Sequence, residues 1–358
     1  MIARAPGKVV LSGAYAVLEG APALVAAIDR YAVADARRTA TQTTPEVEDA
    51  LGARGITTAP WFDARALRDE RSDRKLGLGS SAAILVASLA AIELVREPAL
   101  DDATLATRIF GWALDAHRSA QRGGSGIDVA ASTFGGVLRF QRRTETRALP
   151  ETEAFEVPSQ LVIEVWSSPK AASTAVMLAS VAAARQARPR EYRAIAGRLA
   201  SAAEKAAAAS DPMAFIDACR DQLAMLGELG ELAGVPIVTP EVRAFDRIAG
   251  RRGAVVLPSG AGGGDVALWM STAPAGVELG RAFGLIPLPL SLGARGVHAD
   301  PAGGPEAAPS NTTAGGPKAA PSNTTAGGPK AAPSNTTAGG PKAAPSNTTA
   351  GGAGGRAE

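Results

Sequence analysis

The chain opens on apolar runs too short for helices. Residues 2–5 and 8–12 read as two strands separated by Pro6-Gly7, and residues 31–37 as another. Residues 40–74 are polar and turn-rich and predict no defined element. Residues 81–95 are apolar on nearly every side, the pattern of a helix buried on most of its faces. A second helix is expected over 101–120, with Asp101 as its N-cap. A glycine cluster at 123–126 then precedes a strand at 136–140 and a buried strand at 161–166. From 171 to 233 the texture becomes helical, with Ile216, Cys219, Leu223 and Leu226 on one helix face. Strands at 254–257 and 266–270 flank a glycine loop. Mixed strands and helices, with the helices grouped late, predict an α+β fold in two halves dividing near residue 155.

The pattern stops at Gly303. From there the unit GGPxAAPSNTTA runs four times, with no Leu, Ile, Val, Phe, Tyr or Trp in it. Such a segment buries too little to offset the entropy of ordering it, so residues 301–358 are expected to be a disordered tail. Its Asn-Thr-Thr triplets match a glycosylation acceptor by composition alone. About 300 residues remain, enough for one large domain or two smaller ones. A net charge of +2 makes no case for nucleic acid or an anionic membrane as the main partner. The single cysteine, Cys219, sits in an apolar helical pattern and reads as a small buried hydrophobe. No apolar run spans a membrane and the N-terminus lacks the layout of a signal peptide, so a cytoplasmic protein is expected.

Three segments carry chemistry. KLGLGSSAA, residues 75–83, opens a helix. The first turn of a helix leaves N–H groups unpaired at the positive end of the dipole. Gly77 and Gly79 allow close approach of a bulky anion, and Ser80 and Ser81 add hydroxyls for a phosphate or a Mg²⁺. The alternative is a serine-capped helix after a glycine turn; the spacing is not that of a Walker A loop. APGKVVLSGAYAVLEG, residues 5–20, sets Lys8 just after a Pro-Gly turn, pointing at a phosphate or at solvent. PSGAGGGD, residues 258–265, is either a ligand-approach loop or a long hairpin turn.

In this order the three segments resemble the three motifs of the GHMP kinases, over Ala5 to Asp265. Finer marks resemble the phosphomevalonate kinase branch. They are Asp265 after the glycines, Lys75 before Gly77, AHRSAQRGGSGIDVAAS at 116–132 and SPKAASTAVM at 168–177. The sequence departs from the family pattern at Ala14, where Glu is common, and at Leu257 and Val266, where Lys and Cys are common.

The resemblance implies a two-domain fold with the active site in the cleft between the halves. The N-terminal half, 1–155, would be S5-domain-2-like α/β and the C-terminal half, 156–300, ferredoxin-like α+β. It implies ATP and Mg²⁺ as cofactors, with phosphates on Gly77, Leu78, Gly79, Ser80, Ser81 and Ala82 and the metal at Ser81. Lys8 and Asp128 match the catalytic positions. Lys75, Ser125, Gly126, Lys170, Ser173, Thr174, Ser259, Gly260, Ala261 and Gly262 are the expected substrate contacts, with Arg139 as a further candidate cation. The expected reaction is phosphorylation of 5-phosphomevalonate to 5-diphosphomevalonate. Mevalonate kinase, another GHMP small-molecule kinase and a non-catalytic nucleotide-binding relative are the alternatives. His117 reads as an ordinary helix histidine, His298 as incidental, and Trp166 and Trp269 as core. The oligomeric state is not readable from the sequence.

Overall fold

The computed structural model describes residues 1–70, 72–121, 124–143, 149–170 and 173–300. The repeat at 301–358 and the glycine Gly123 lie outside the described residues.

Two antiparallel sheets organise the rest. The first is built on β1 (Ile2–Ser12) and β2 (Ala23–Thr39), with β3 (Pro60–Asp63) paired to β2 and with β4 (Val137–Gln141) and β5 (Glu151–Ala154) on one side. The second holds β6 (Val162–Ser167), β7 (Val255–Pro258), β8 (Val266–Ser271) and β9 (Ile286–Leu288) in the order β7-β8-β6-β9. The described chain ends on β10 (His298–Asp300), which returns to the first sheet and pairs with β1. Residues 2–12 form one strand, not two. Pro6-Gly7 is a register shift within the β1–β2 pairing, a bulge that bends the strand without ending it.

The helices are α1 (Pro45–Gly52), α2 (Ser80–Arg96), α3 (Asp102–Ala120), α4 (Ile127–Phe134), α5 (Thr174–Ala187), α6 (Pro189–Ala208), α7 (Pro212–Ala233), α8 (Pro240–Gly250) and α9 (Val277–Arg281). The Asp101 carboxylate accepts from the Thr104 N–H at 3.0 Å and starts α3 where the sequence placed it. Helix α2 lies against β1 and β2 and is buried over most of its length. In the second half Phe245 of α8 packs between Trp166 and Trp269, at ring separations of 5.5 and 5.3 Å, and both indoles are buried. Cys219 is buried on α7, and burial pushes its thiol pKa up. Among the described residues no helix is long and apolar enough to cross a membrane.

Candidate active site

Strand β1 and the loop before α2 meet backbone to backbone. The Lys8 N–H donates to the Leu78 carbonyl at 2.8 Å, and Lys8 Nζ donates to the Gly77 carbonyl at 3.3 Å. Two glycines permit this. A Cβ on Gly7 would stand 2.7 Å from the Leu78 carbonyl oxygen. Gly79 holds φ at +79°, and a Cβ there would stand 2.9 Å from Lys8 Cγ. Gly79 opens α2 with no side-chain cap, so the first N–H groups of the helix are left for a ligand. The Ser80 and Ser81 hydroxyls line the cavity beside them. Burial holds the Lys8 ammonium below the usual lysine range, against the opposing pull of the Asp128 and Asp265 carboxylates. Lys8 is half-buried, and a partly desolvated charge only partly repaid by neighbours favours an incoming anion.

The second wall comes from α3 and α4. Asp128, in the first turn of α4, accepts from the Val129 N–H at 3.1 Å through Oδ1. The same Oδ1 lies 3.3 Å from Nε2 of the buried His117 on α3. The third wall is the glycine loop between β7 and β8. Ser259 Oγ accepts from the Val10 N–H at 2.8 Å, and the Tyr15 hydroxyl donates to the Ala261 carbonyl at 2.7 Å. Burial pushes the Tyr15 pKa up, which keeps it a neutral donor. Gln222 of α7 accepts from the Gly13 N–H at 2.8 Å, tying the end of β1 to the helices of the second half. Asp265 adopts φ of 53° and sits 3.7 Å from the Arg74 guanidinium, joining the glycine loop to the phosphate-loop side.

These walls enclose a cavity of about 290 Å³. Lys8, Lys75, Gly77, Gly79, Ser80 and Ser81 line one side of it, and Ser125, Asp128 and Thr174 another. Ser259, Gly260, Ala261 and Gly262 complete it. Several expected residues are not on its surface. Leu78 and Ala82 are buried behind the loop, Gly126 caps α4, and exposed Ser173 caps α5 through the Val176 N–H at 3.4 Å. Lys170 is engaged elsewhere: its Nζ donates to Glu241 of α8 at 2.6 Å. Arg139 faces Glu153 across the β4–β5 pair at 3.6 Å. Tyr15, which lines the cavity, and Arg74 behind it are not among the residues expected from the sequence, and His117, expected to be an ordinary helix histidine, lines the cavity too. For His117 a signal existed, since it precedes Asp128 within one motif-like segment.

Among the described residues no group of three or more His, Cys, Asp or Glu could hold a metal ion by itself. The donor set that is present, the Ser81 hydroxyl and the Asp128 carboxylate on one cavity, suits Mg²⁺, which takes one or two protein oxygens and completes its shell with phosphates and water.

Comparison with known proteins agrees with this architecture. The domain described as "GHMP kinases N terminal domain" matches residues 51–136. A phosphomevalonate kinase from Streptomyces sp. (strain CL190) is 25% identical, over 83% of this chain and 98% of its own length. A mevalonate kinase from Archaeoglobus fulgidus is 30% identical, over 53% of this chain and 66% of its own. Among solved structures, the Lin0012 protein of Listeria innocua superposes with a TM-score of 0.70 at 22% identity, over 84% of this chain and 99% of that one. Streptococcus pneumoniae phosphomevalonate kinase, in complex with phosphomevalonate and AMPPNP, gives 0.60 at 19% identity, over 82% and 99%. Residues 51–136 match the GHMP kinase N-terminal domain, and the chain has the GHMP kinase fold.

Proposed function

We propose that this chain transfers the γ-phosphate of ATP to the phosphate of 5-phosphomevalonate. The observation that carries phosphoryl transfer is Lys8, a half-buried ammonium hydrogen-bonded to the Gly77 carbonyl beside the uncapped start of α2. The choice of acceptor is supported by the similarity to a phosphomevalonate kinase along nearly all of that protein's length. The γ-phosphate enters at the α2 start, where Gly77, Gly79, Ser80 and Ser81 offer N–H and hydroxyl donors. Ser81 and Asp128 would hold Mg²⁺, which would supply charge neutralisation for the phosphates.

A phosphate acceptor has a second pKa of about 6 and is largely ionised at neutral pH, so no base is needed to activate it. The obstacle is repulsion between two polyanions. Lys8 at the transferring phosphoryl group and Lys75 at the mouth of the cavity offset it. Asp128 then orients rather than deprotonates. Ser125, Thr174 and the 259–262 loop hold the acceptor, and the domain boundary falls near residue 155, between β5 and β6, with β10 returning to the first half.

Mevalonate is the second reading, favoured by the mevalonate kinase similarity and by a carboxylate in the cavity that could serve as base for an alcohol. ADP release is measured with ATP and Mg²⁺ while 5-phosphomevalonate and mevalonate are offered separately. Turnover with phosphomevalonate alone is expected. Turnover with mevalonate alone moves Asp128 into the role of base, and no turnover with either rejects both readings.

A further inference from the structure

The loop that opens α2 belongs to the first half, but one of its side chains reaches into the second. Arg74 Nη2 donates to the Ser168 carbonyl at 2.7 Å and to Ser167 Oγ at 3.3 Å. Both serines are buried where β6 ends. Nη1 of the same guanidinium stands 3.7 Å from Asp265 Oδ1. Asp265 is itself held by its backbone. Its N–H donates to the Lys170 carbonyl at 3.0 Å, and its carbonyl accepts from the Ser168 N–H at 2.7 Å. Its carboxylate lies against Gly77, where a Cβ would stand 2.8 Å from Oδ2. The ties from Val10, Gly13 and Tyr15 fasten β1 and the turn after it to the second half. Arg74 fastens the loop itself. Its side chain is 22% exposed, so its contacts are better sheltered from water than those of a surface pair. A guanidinium suits the task, because its donors lie in one fixed plane.

We propose that Arg74 is a positioning residue that sets the separation of the two ligands. It locks the α2 start, which receives the γ-phosphate, to the glycine loop, which holds the acceptor. Arg74 lies behind the cavity wall and acts through Gly77 and Asp265, which line it. The kinetic consequence rests on the phosphoryl-transfer reading; the lock itself is a property of the ligand-free protein. Without Arg74 each ligand keeps its own wall, so affinity survives while alignment does not. A misplacement of about 1 Å costs about 10²-fold in rate. Water then competes with the acceptor, and ATP yields ADP and free phosphate in place of ADP and phosphorylated acceptor.

The first test follows ADP and phosphorylated acceptor separately in wild type, Arg74→Met and Arg74→Lys. Arg74→Met should lower kcat for acceptor phosphorylation by about tenfold to 10²-fold, with the KM for ATP and for the acceptor each within about threefold. The ratio of ADP released to acceptor phosphorylated should at least double. A merely structural role lowers both products alike and leaves that ratio unchanged. Arg74→Lys keeps the charge and one donor and should fall between the two. An unchanged kcat, an unchanged ratio, a loss confined to the KM for ATP, or a lysine variant no better than methionine overturns the proposal. Should Arg74→Met fail to fold, Arg74→Gln, which keeps a donor for the Ser168 carbonyl, takes its place. The second test is amide hydrogen exchange in the ligand-free full chain. The Lys8 N–H, bonded to the Leu78 carbonyl, and the Asp265 N–H, bonded to the Lys170 carbonyl, should both exchange faster in Arg74→Met, with α7 unchanged. Faster exchange on one side only, or on neither, overturns the lock. If the wild-type chain phosphorylates neither acceptor, the functional reading fails while the lock stands or falls on the exchange.

Discussion

Two helices begin at the cavity, and both begin on a glycine in the left-handed region. Gly79 opens α2 at φ of 79° and Gly126 opens α4 at 82°, and neither start has a side-chain cap. Five other helices are capped in the ordinary way, with Thr44, Asp101, Ser173, Asp211 and Thr239 each accepting from the first turn, while α6 and α9 begin away from the cavity without a side-chain cap. The two starts then diverge. In α4 the chain supplies its own anion, because Asp128 lies in the first turn and satisfies the positive end of the helix. In α2 there is no acid in the first turn, only Ser80 and Ser81, and the nearest charge is the half-buried Lys8. The same backbone device therefore yields one start that is neutralised from within and one that remains open. In the proposed function, the withheld cap suits α2 to an anion as much as the glycines do.

The largest effect should come from removing the charge beside the open start. Lys8→Met is expected to lower kcat by about 10³-fold, the scale of losing one preorganised electrostatic contact. It should also change stability in the opposite direction. The folded chain binds this proton less tightly than the unfolded chain, chiefly through desolvation, so ligand-free stability rises with pH between the folded pKa and 10.5. The methionine variant lacks that burden. It should unfold at higher denaturant concentration than wild type at pH 7, with the gap narrowing as pH approaches 10.5. A less stable variant at pH 7 would show that the two carboxylates, and not desolvation, dominate at Lys8.

Closing the open start without touching its charge comes next. Gly79→Ala forces a Cβ to within 2.9 Å of Lys8 Cγ at a φ of 79°. A displacement of about 1 Å at the lysine is enough for roughly 10²-fold in kcat/KM. AMPPNP-induced thermal stabilisation should shrink in parallel. A variant with full activity would mean that α2 does not receive the phosphates. Asp128→Asn, which removes the internal anion of α4, is expected to cost about tenfold in kcat, since a positioned acid or base contributes 10²-fold or more only when proton transfer is required. A loss from Asp128→Asn larger than from Lys8→Met would reverse the comparison and point to an alcohol acceptor.

The open start was legible in the sequence because its parts are contiguous. Lys75 to Ala82 is one stretch, and glycine before serine before an apolar helix has a direct physical meaning. The long helices over 174–233 and the Asp101 cap were legible for the same reason. The closed start was not. Helix α4 is eight residues long and begins within a glycine-rich run, which reads as a loop, and the partner of Asp128 is an unremarkable histidine on α3. The beginning of β2 also escaped, because residues 23–28 are alanine-rich and buried without alternation. Contacts such as Gln222 to Gly13 join residues about two hundred positions apart, and no local pattern encodes them.

The smallest expected effect separates the cations that face the cavity from one that only shares their sequence neighbourhood. Lys170 stands in a motif-like segment, yet its ammonium is bound to Glu241, with side-chain exposures of 60% and 25%. The Lys170 hydrogen bond is the main reason the Glu241 carboxyl lies below its ordinary range. A depressed carboxylate pKa contributes stability above its unfolded value and loses it as pH falls through the folded value, so the pair should matter near neutral pH and vanish in acid. Exposed pairs of this kind are worth about 0–1 kcal/mol, so Lys170→Ala should lower stability by no more than that. Its acceptor KM should stay within about twofold, whereas Lys75→Ala, on the cavity surface, should raise that KM by about tenfold, the equivalent of 1.4 kcal/mol. A Lys170→Ala variant with the larger rise would mean that the lysine leaves Glu241 for the acceptor phosphate. The glycine loop, tied to the Lys170 carbonyl through the Asp265 N–H at 3.0 Å, would then move with it.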